Sequence, residues 1–426
     1  MHNYHVNSPW KVIFETPDDG YSYFFGYYDK PALNRDNTLL LCHRVAFDGR
    51  NVKDGDIAEI GYIQMADGHF TKIDQTLAWN WQQGSQLQWL PPLYDEQIVY
   101  NTIIKGRFAS VIYTISTCRR QVIPFPIYAI HPTGKEALGI QYERHYWCRP
   151  GYNYQNIKNE KWNKLAPEED GIFKIDLESS QVERVISLID IVNHQKLPEF
   201  DFSAHWLEHI MYSPKGDRFM FFHRWRLDDT DISRAYTVSS DGKNLFMYPD
   251  NLFYSHYDWK DEHSLTIWTK INVSSNNGVV SLLNVIRKKN ILINFLKPIY
   301  RSVKNLLPKK ITTSIDQPSK LVTFTDKTQS YYLVGDNILT GNGHQSWFRL
   351  SNKLLNDTYQ DENNYRHLMV FDCDNEEVEY VGKFYSHYND CVFRCDLHPK
   401  LSIDERYIVI DSAHTEKRKM MIIKRN

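Results

Sequence analysis

Short apolar runs separated by polar turns organise this chain. A polar or aromatic lead-in is followed by a turn rich in Ser, Pro, Asp, Asn or Gly, then by three or four apolar or alternating residues. The clearest copy runs from Met211 through Ser213-Pro214-Lys215-Gly216-Asp217 to Phe222. Other turns fall at Asn34–Asn37, Pro91–Asp95, His131–Gly134, Asp258–Asp261, Ser351–Lys353 and Ser402–Glu405, which makes seven copies. Runs this short, with period-two alternation and tight turns between them, read as β-hairpins. Further strand pairs lie between the copies, as at Gly171–Glu178, Ala235–Gly242 and His367–Asp374. Two hairpins per copy make a four-stranded sheet. Seven such sheets around an axis make an all-β, seven-bladed β-propeller. The alternatives are a two-sheet sandwich or a pair of smaller β domains.

The spacing between turns is 57, 40, 82, 45, 93 and 51 residues. A blade takes roughly 40–50 residues, so the two long intervals hold insertions, at 145–204 and 272–330. The chain 1–426 is otherwise read as one propeller domain. The C-terminal strand Lys419–Ile423 is expected to close the ring with Lys11–Phe14.

Charge singles out the second insertion. The chain as a whole is balanced, with 50 Lys and Arg against 52 Asp and Glu. A global nucleic-acid footprint is therefore absent, and no nucleic-acid partner is expected. Residues 271–315 contain no Asp or Glu, yet eight basic residues lie within 281–310, from Arg287 to Lys310. Ile291, Phe295, Leu296, Ile299, Val303, Leu306 and Leu307 fit one helical stripe, which Pro298 would kink. A basic amphipathic helical insertion in an otherwise acidic chain points to an anionic membrane surface as partner. A helical hairpin packed on the propeller's side, or a partner-binding helix, is the alternative. No apolar run approaches a membrane span, and the N-terminus lacks a basic start followed by an apolar stretch. The six cysteines are too sparse for a disulfide framework. The expected location is cytoplasmic, peripheral on the inner face of the cell membrane.

Propeller geometry says which residues converge. Those just before a blade's first strand and just after its second should rim one channel mouth. These positions hold Tyr28-Asp29-Lys30, Trp89, His205, His209, His256, His344, and Asp396 with His398. They also hold Arg144, His223-Arg224, Asp357 and Asp411. A single strand histidine is commonly structural. Several at one rim, with Arg and Asp, suit a divalent transition metal and general-base chemistry.

At these residues the chain resembles the oligogalacturonate lyase-like propellers, over about half its length. In that family a His precedes a blade turn and the next strand ends in a His, matched here by His209 and His223. Further matches are Ser255-His256-Tyr257, Gly343-His344-Gln345-Ser346 and Asp396-Leu397-His398-Pro399. The family binds a manganese-like ion through such His residues and a Gln, and cleaves uronate chains by β-elimination. Here Asp396 stands where the family has a His, Phe393 stands near the Gln, and His223 is followed by Arg224-Trp225. The chain is also similar to uncharacterised bacterial propellers with stretches like Ala78–Gly84, Arg149-Pro150-Gly151-Tyr152 and Arg394–Pro399.

The resemblance implies a polysaccharide lyase acting on uronate-containing surface polysaccharide or oligosaccharide. His256, His344, Asp396 and His398 would hold the metal. His223 would abstract the proton beside the carboxylate, with His209 assisting and Arg224 or Arg144 as a bidentate clamp. Trp89 and Tyr28 would stack on sugar rings, with Asp29, Lys30, His205 and Asp357 as further substrate contacts. Two alternatives stay open. One is a glycosidase using two carboxylates among Asp29, Asp357, Asp396 and Asp411. The other is a membrane-associated component of surface-polysaccharide biosynthesis, a glycosyltransferase or a binding scaffold, although no glycine-rich phosphate loop is present.

Overall fold

Seven antiparallel sheets, each four strands from the same architectural unit, account for almost all regular structure. The computed structural model describes residues 3–158, 163–227, 230–271, 318–389 and 392–426. The fold is the expected seven-bladed β-propeller. In sequence order the blades begin with strands Ser22–Phe24, Gln88–Trp89, Ala129–Ile130, His205–Tyr212, Tyr254–Asp261, Gln345–Trp347 and Lys400–Leu401. Most of these first strands are short and end in the turns that mark the repeat.

Each blade is covered on both faces by its neighbours, so its strands are apolar on both sides. Arg218–Leu227 carries eight consecutive buried residues. One apolar cluster joins Tyr23, Leu40 and Ile60 of the first blade to Trp89 and Tyr100 of the second and Val409 and Ile422 of the seventh. Trp89, expected at the rim, is therefore a core residue, 1% exposed, with its indole N–H donated to Ala32 O at 3.0 Å.

The N-terminus closes the ring twice. Trp10–Glu15 pairs antiparallel with Lys419–Arg425, setting Val12 opposite Ile423. Tyr4–Val6 adds a fifth strand to the sixth blade, with Tyr4 opposite Phe384.

Both insertions have different bounds from those the turn spacing implied. Gly171–Asp176 and Val182–Ser187 are the outer strands of the third blade, not part of an insertion. The extra length divides into 141–170, which carries the helix Tyr142–Cys148, and 188–204, which carries Leu188–Asn193 and a 3-10 turn at Pro198–Phe202. Counting from turn to turn cannot separate blade strands from the segments looped between them. In the second case Lys320–Thr325 is the third strand of the fifth blade, paired with Ser264–Thr269. The basic amphipathic stretch 281–310 lies outside the described residues. Among the described residues no helix is long and apolar enough to cross a membrane.

Gly84 shows how tightly the blades meet. Its φ is +57°, and a Cβ there would lie 2.3 Å from His43 Cε1. His43 accepts the Ser85 N–H at Nε2, 3.0 Å away. Burial lowers His43 from 6.5 to about 4, and burial likewise lowers His145 to about 4. Below pH 6.5 the unfolded chain binds protons that these buried imidazoles do not take up until about pH 4. Their contribution to stability is full above that window and is lost as pH falls through it. Chemical denaturation is expected to show a loss of roughly 2 kcal/mol for each of the two between about pH 7 and about pH 5. An equal unfolding free energy at the two pH values would overturn this.

Candidate active site

The strand His205–Tyr212 breaks its alternation at one point. Its register with Arg218–Leu227 shifts between Glu208 and Met211, and His209 sits at φ +55°. Such a bulge re-aims side chains and is enriched beside active sites. A left-handed backbone at a residue with a Cβ is uncommon and costs of order 1–3 kcal/mol. His398 has the same feature, at φ +42°. His209 lines a cavity where several blades meet, and His398 lies across the Tyr27 ring from it.

The cavity measures about 260 Å³. His209, His256 and Asn342 line it, together with three arginines, Arg149, Arg224 and Arg394. The arginines come from the 141–170 insertion, the fourth blade and the segment before the seventh. Glu208 takes both Arg149 and Arg224 on its Oε1, and its Oε2 accepts the Trp206 indole N–H at 3.1 Å. Burial works against the charged form of Glu208. Arg149, then His209 and Arg224, outweigh it and hold this carboxyl well below the usual range. Arg394 donates Nε to Asp396 Oδ2 at 2.7 Å and Nη2 to the Tyr152 hydroxyl at 2.6 Å. Its carbonyl is gripped by Gln82 Nε2 at 2.9 Å and Arg418 Nη2 at 3.1 Å.

Beside the cavity, ligand atoms of His344, Asp396 and His398 all lie within 4.8 Å of one another, and all three residues are buried. Asp357 accepts His344 Nδ1–H, with its two oxygens at 3.0 and 3.1 Å. This is the outer-shell carboxylate that orients a metal-binding imidazole. The buried Nε2 atoms of His344 and His398 have no hydrogen-bond partner. Burial holds His398 and His256 well below their ordinary pKa, so both are neutral imidazoles at neutral pH. Asp396 is opposed by burial, but Arg394 and Arg366 keep it ionised far into acid. Two orphaned buried imidazole nitrogens and an ionised carboxylate fit a divalent transition metal. His256 flanks the set, its ring centroid 4.0 Å from that of His344 and its Nδ1 3.2 Å from Asn342 Oδ1. The Tyr27 ring lies between this cluster and His209, with centroid distances of 5.1 Å to His398 and 5.3 Å to His209.

The expected residues thus separate. His209, Arg224, His256, His344, Asp396 and His398 come together, and Asp357 supports them from behind. Tyr28 lies under the cluster, its ring 5.2 Å from His344, but its hydroxyl is committed to Tyr257 O at 2.8 Å. Asp29 and Lys30 pair with each other at 2.6 Å and do not line the cavity.

His223, expected as the base, is placed elsewhere. It follows Phe222 and precedes Arg224, both of which line the cavity, so strand alternation turns it to the opposite face. There its Nε2 lies 3.0 Å from His205 Nδ1, while His205 Nε2 donates to Phe200 O at 2.9 Å. Arg144 is likewise a structural tie, donating to Asp170 at 2.8 Å and to His205 O at 2.7 Å. Arg149, Tyr152, Glu208 and Arg394 were not singled out as site residues. Three of these four lie in the Arg149–Tyr152 and Arg394–Pro399 stretches already marked by their likeness to other propellers.

Comparison with solved structures is decisive for the fold. An oligogalacturonate lyase in complex with manganese superposes with a TM-score of 0.64 over 99% of this chain and 96% of its own, at 14% identity. An oligogalacturonate lyase from Vibrio parahaemolyticus gives 0.62 over the same shares, also at 14%. The chain has the oligogalacturonate lyase fold. No sequence family matches it, and no curated protein does. The likeness to the oligogalacturonate lyases therefore extends over the whole propeller while little of the sequence is shared.

If the His205–His223 pair is structural, His223→Gln should lower the melting temperature by several degrees, through about 1–3 kcal/mol. It should leave anion binding in the cavity unchanged when measured by calorimetry with an oligouronate. Weakened binding with unchanged stability would return His223 to the site.

Proposed function

We propose that this chain is a carbohydrate-active lyase that cleaves uronate-containing saccharide by metal-assisted β-elimination. The observation that carries this reading is the adjacency of two features. One is a polar cavity bearing His209 and three arginines. The other is a cluster of metal-competent groups with orphaned nitrogens. The likeness in fold to an oligogalacturonate lyase in complex with manganese supports it.

The proton at C5 of a uronate is weakly acidic, because it lies α to a carboxylate. Removing it requires that carboxylate to be neutralised first. Arg149 and Arg224 pair with Glu208, and Arg366 and Arg394 with Asp396, while Asp357 is the third buried carboxylate here, so the site's four arginines outnumber its three carboxylates and leave positive charge for an anionic sugar. Arg149, Arg224 and Arg394 have access to the cavity and would bind and orient the carboxylate. A divalent transition metal, manganese-like and held by His344, Asp396 and His398 with His256 beside them, would supply Lewis-acid stabilisation of the developing charge. His209, neutral because burial lowers it to about 4, would accept the C5 proton. The electron pair of the C5–H bond forms the C4=C5 double bond as the C4–O bond breaks. The leaving oxygen takes a proton from water, and His209 returns its own to water.

A second feature favours work at a membrane, within surface-polysaccharide metabolism. It is the basic, amphipathic composition of 281–310, which holds eight Lys and Arg and no Asp or Glu. We place the protein, on this reading, in the cytoplasm and peripheral to an anionic inner membrane face, its saccharide substrate presented there.

Manganese-loaded protein should convert oligouronates to a product with the absorbance of an unsaturated uronate. His209→Ala should slow this by about 10²-fold or more. His398→Ala should abolish stoichiometric manganese binding by elemental analysis. Absence of unsaturated product from every uronate polymer offered to the loaded protein would sink the lyase reading. Separately, full-length protein should sediment with phosphatidylglycerol vesicles and not with phosphatidylcholine vesicles, and deletion of 281–310 should release it. Equal partitioning with and without that segment would refute membrane contact.

A further inference from the structure

Adjacent residues on a strand point to opposite faces, so Glu208 and His209 would ordinarily never meet. The bulge and the left-handed His209 backbone bring them together, with His209 Nδ1 3.1 Å from Glu208 Oε1. We infer that Glu208 and His209 form a built acid–base dyad, in which Glu208 is the positioning residue that fixes the imidazole with its basic Nε2 free for substrate. This rests on the lyase reading for its chemistry, but the pairing itself is testable without it.

Three observations support the assignment. Glu208 is 3% exposed and His209 4%, so neither is held by solvent. The carboxylate is anchored at both oxygens, hydrogen-bonded by Arg149 on Oε1 and by Trp206 on Oε2, with Arg224 and His209 as further charge contacts on Oε1. The His209 carbonyl is also fixed, accepting the hydroxyl of Tyr257. A carboxylate accepts hydrogen bonds only. A lone pair on Nδ1 would face that charged oxygen at 3.1 Å and be repelled by it, so even without an aligned hydrogen bond the neutral imidazole carries its proton on Nδ1 and the lone pair falls on Nε2. The bulge strain is the cost of this arrangement.

The groups that face His209 come from five parts of the fold. Glu208 is on its own strand, Arg224 on the next, Arg149 and Tyr152 on the 141–170 insertion, Tyr27 from the first blade and His256 from the fifth. Glu208 is the one anionic group among them. It sets the tautomer and at the same time keeps Arg149 and Arg224 from repelling each other across the cavity.

The test is nitrogen-15 NMR of histidine-labelled protein near neutral pH, with the His209 resonance assigned by its loss in His209→Gln. The dyad requires the Nδ1–H tautomer in the wild-type protein. An Nε2–H tautomer would overturn it whether or not the protein is active. Glu208→Gln preserves shape and removes the charge. It is expected to lower kcat on an oligouronate by on the order of 10²-fold, with a smaller change in KM. An unchanged kcat in a variant with native circular dichroism would also overturn the positioning role. If that variant does not fold, the wild-type tautomer alone decides. Wild-type protein that forms no unsaturated product while showing the Nδ1–H tautomer would defeat the lyase reading and leave the dyad standing.

Discussion

Ring closure is the constraint on which everything else in this molecule depends. The pairing of Trp10–Glu15 with Lys419–Arg425 joins the two ends of the chain within one blade. Seven sheets that each bury both faces have no stable exposed flank, and closure removes the last one. It also brings residues far apart in the chain to a common place. His209, His344 and His398 come from three different blades, yet the rings of His344 and His398 touch and only the Tyr27 ring lies between that pair and His209. The packing that stabilises the propeller and the geometry of the candidate site follow from the same closure.

Electrostatics at this site is a matter of buried partners. Glu208 and Asp396 are nearly inaccessible, and each remains ionised because two guanidiniums face it. Removing water makes such interactions strong, and it makes an unpaired member expensive. The arginines exceed the carboxylates they pair with, which gives the cavity a positively charged lining. The same burial keeps His209, His256 and His398 neutral. Neutral nitrogens and positive charge side by side are what the proposal of an acidic sugar rests on.

Legibility in the sequence followed the range of the interaction concerned. Turns are local, so the expected turns marked seven blades, although the one expected at Asp258–Asp261 is strand and the chain turns at Glu262-His263 instead, and the strand carrying Val12 was correctly expected to meet that carrying Ile423. The histidines that begin the fifth to seventh blades were legible too, because their position relative to the turn is also local. His223 was not. Which face a strand presents to the cavity depends on its neighbours' register, and one bulge between Glu208 and Met211 resets it. Trp89 carried the residue type of a sugar platform, but residue type does not distinguish a rim from a core. Tyr152 lies in a loop, where no periodicity predicts its contact with Arg394 more than two hundred residues away.

By itself, then, the sequence determined the number and order of the blades and the supply of His, Arg and carboxylate groups, since hydrophobic alternation and turn chemistry act over a few residues. Only the tertiary structure decided which of those groups share a cavity. It turned His223 away and His209 inward, paired Asp357 with His344, and set Glu208 between two arginines. The reason is physical: convergence of side chains from separate blades is set by ring closure, sheet register and burial, and none of these is written in any one stretch of chain.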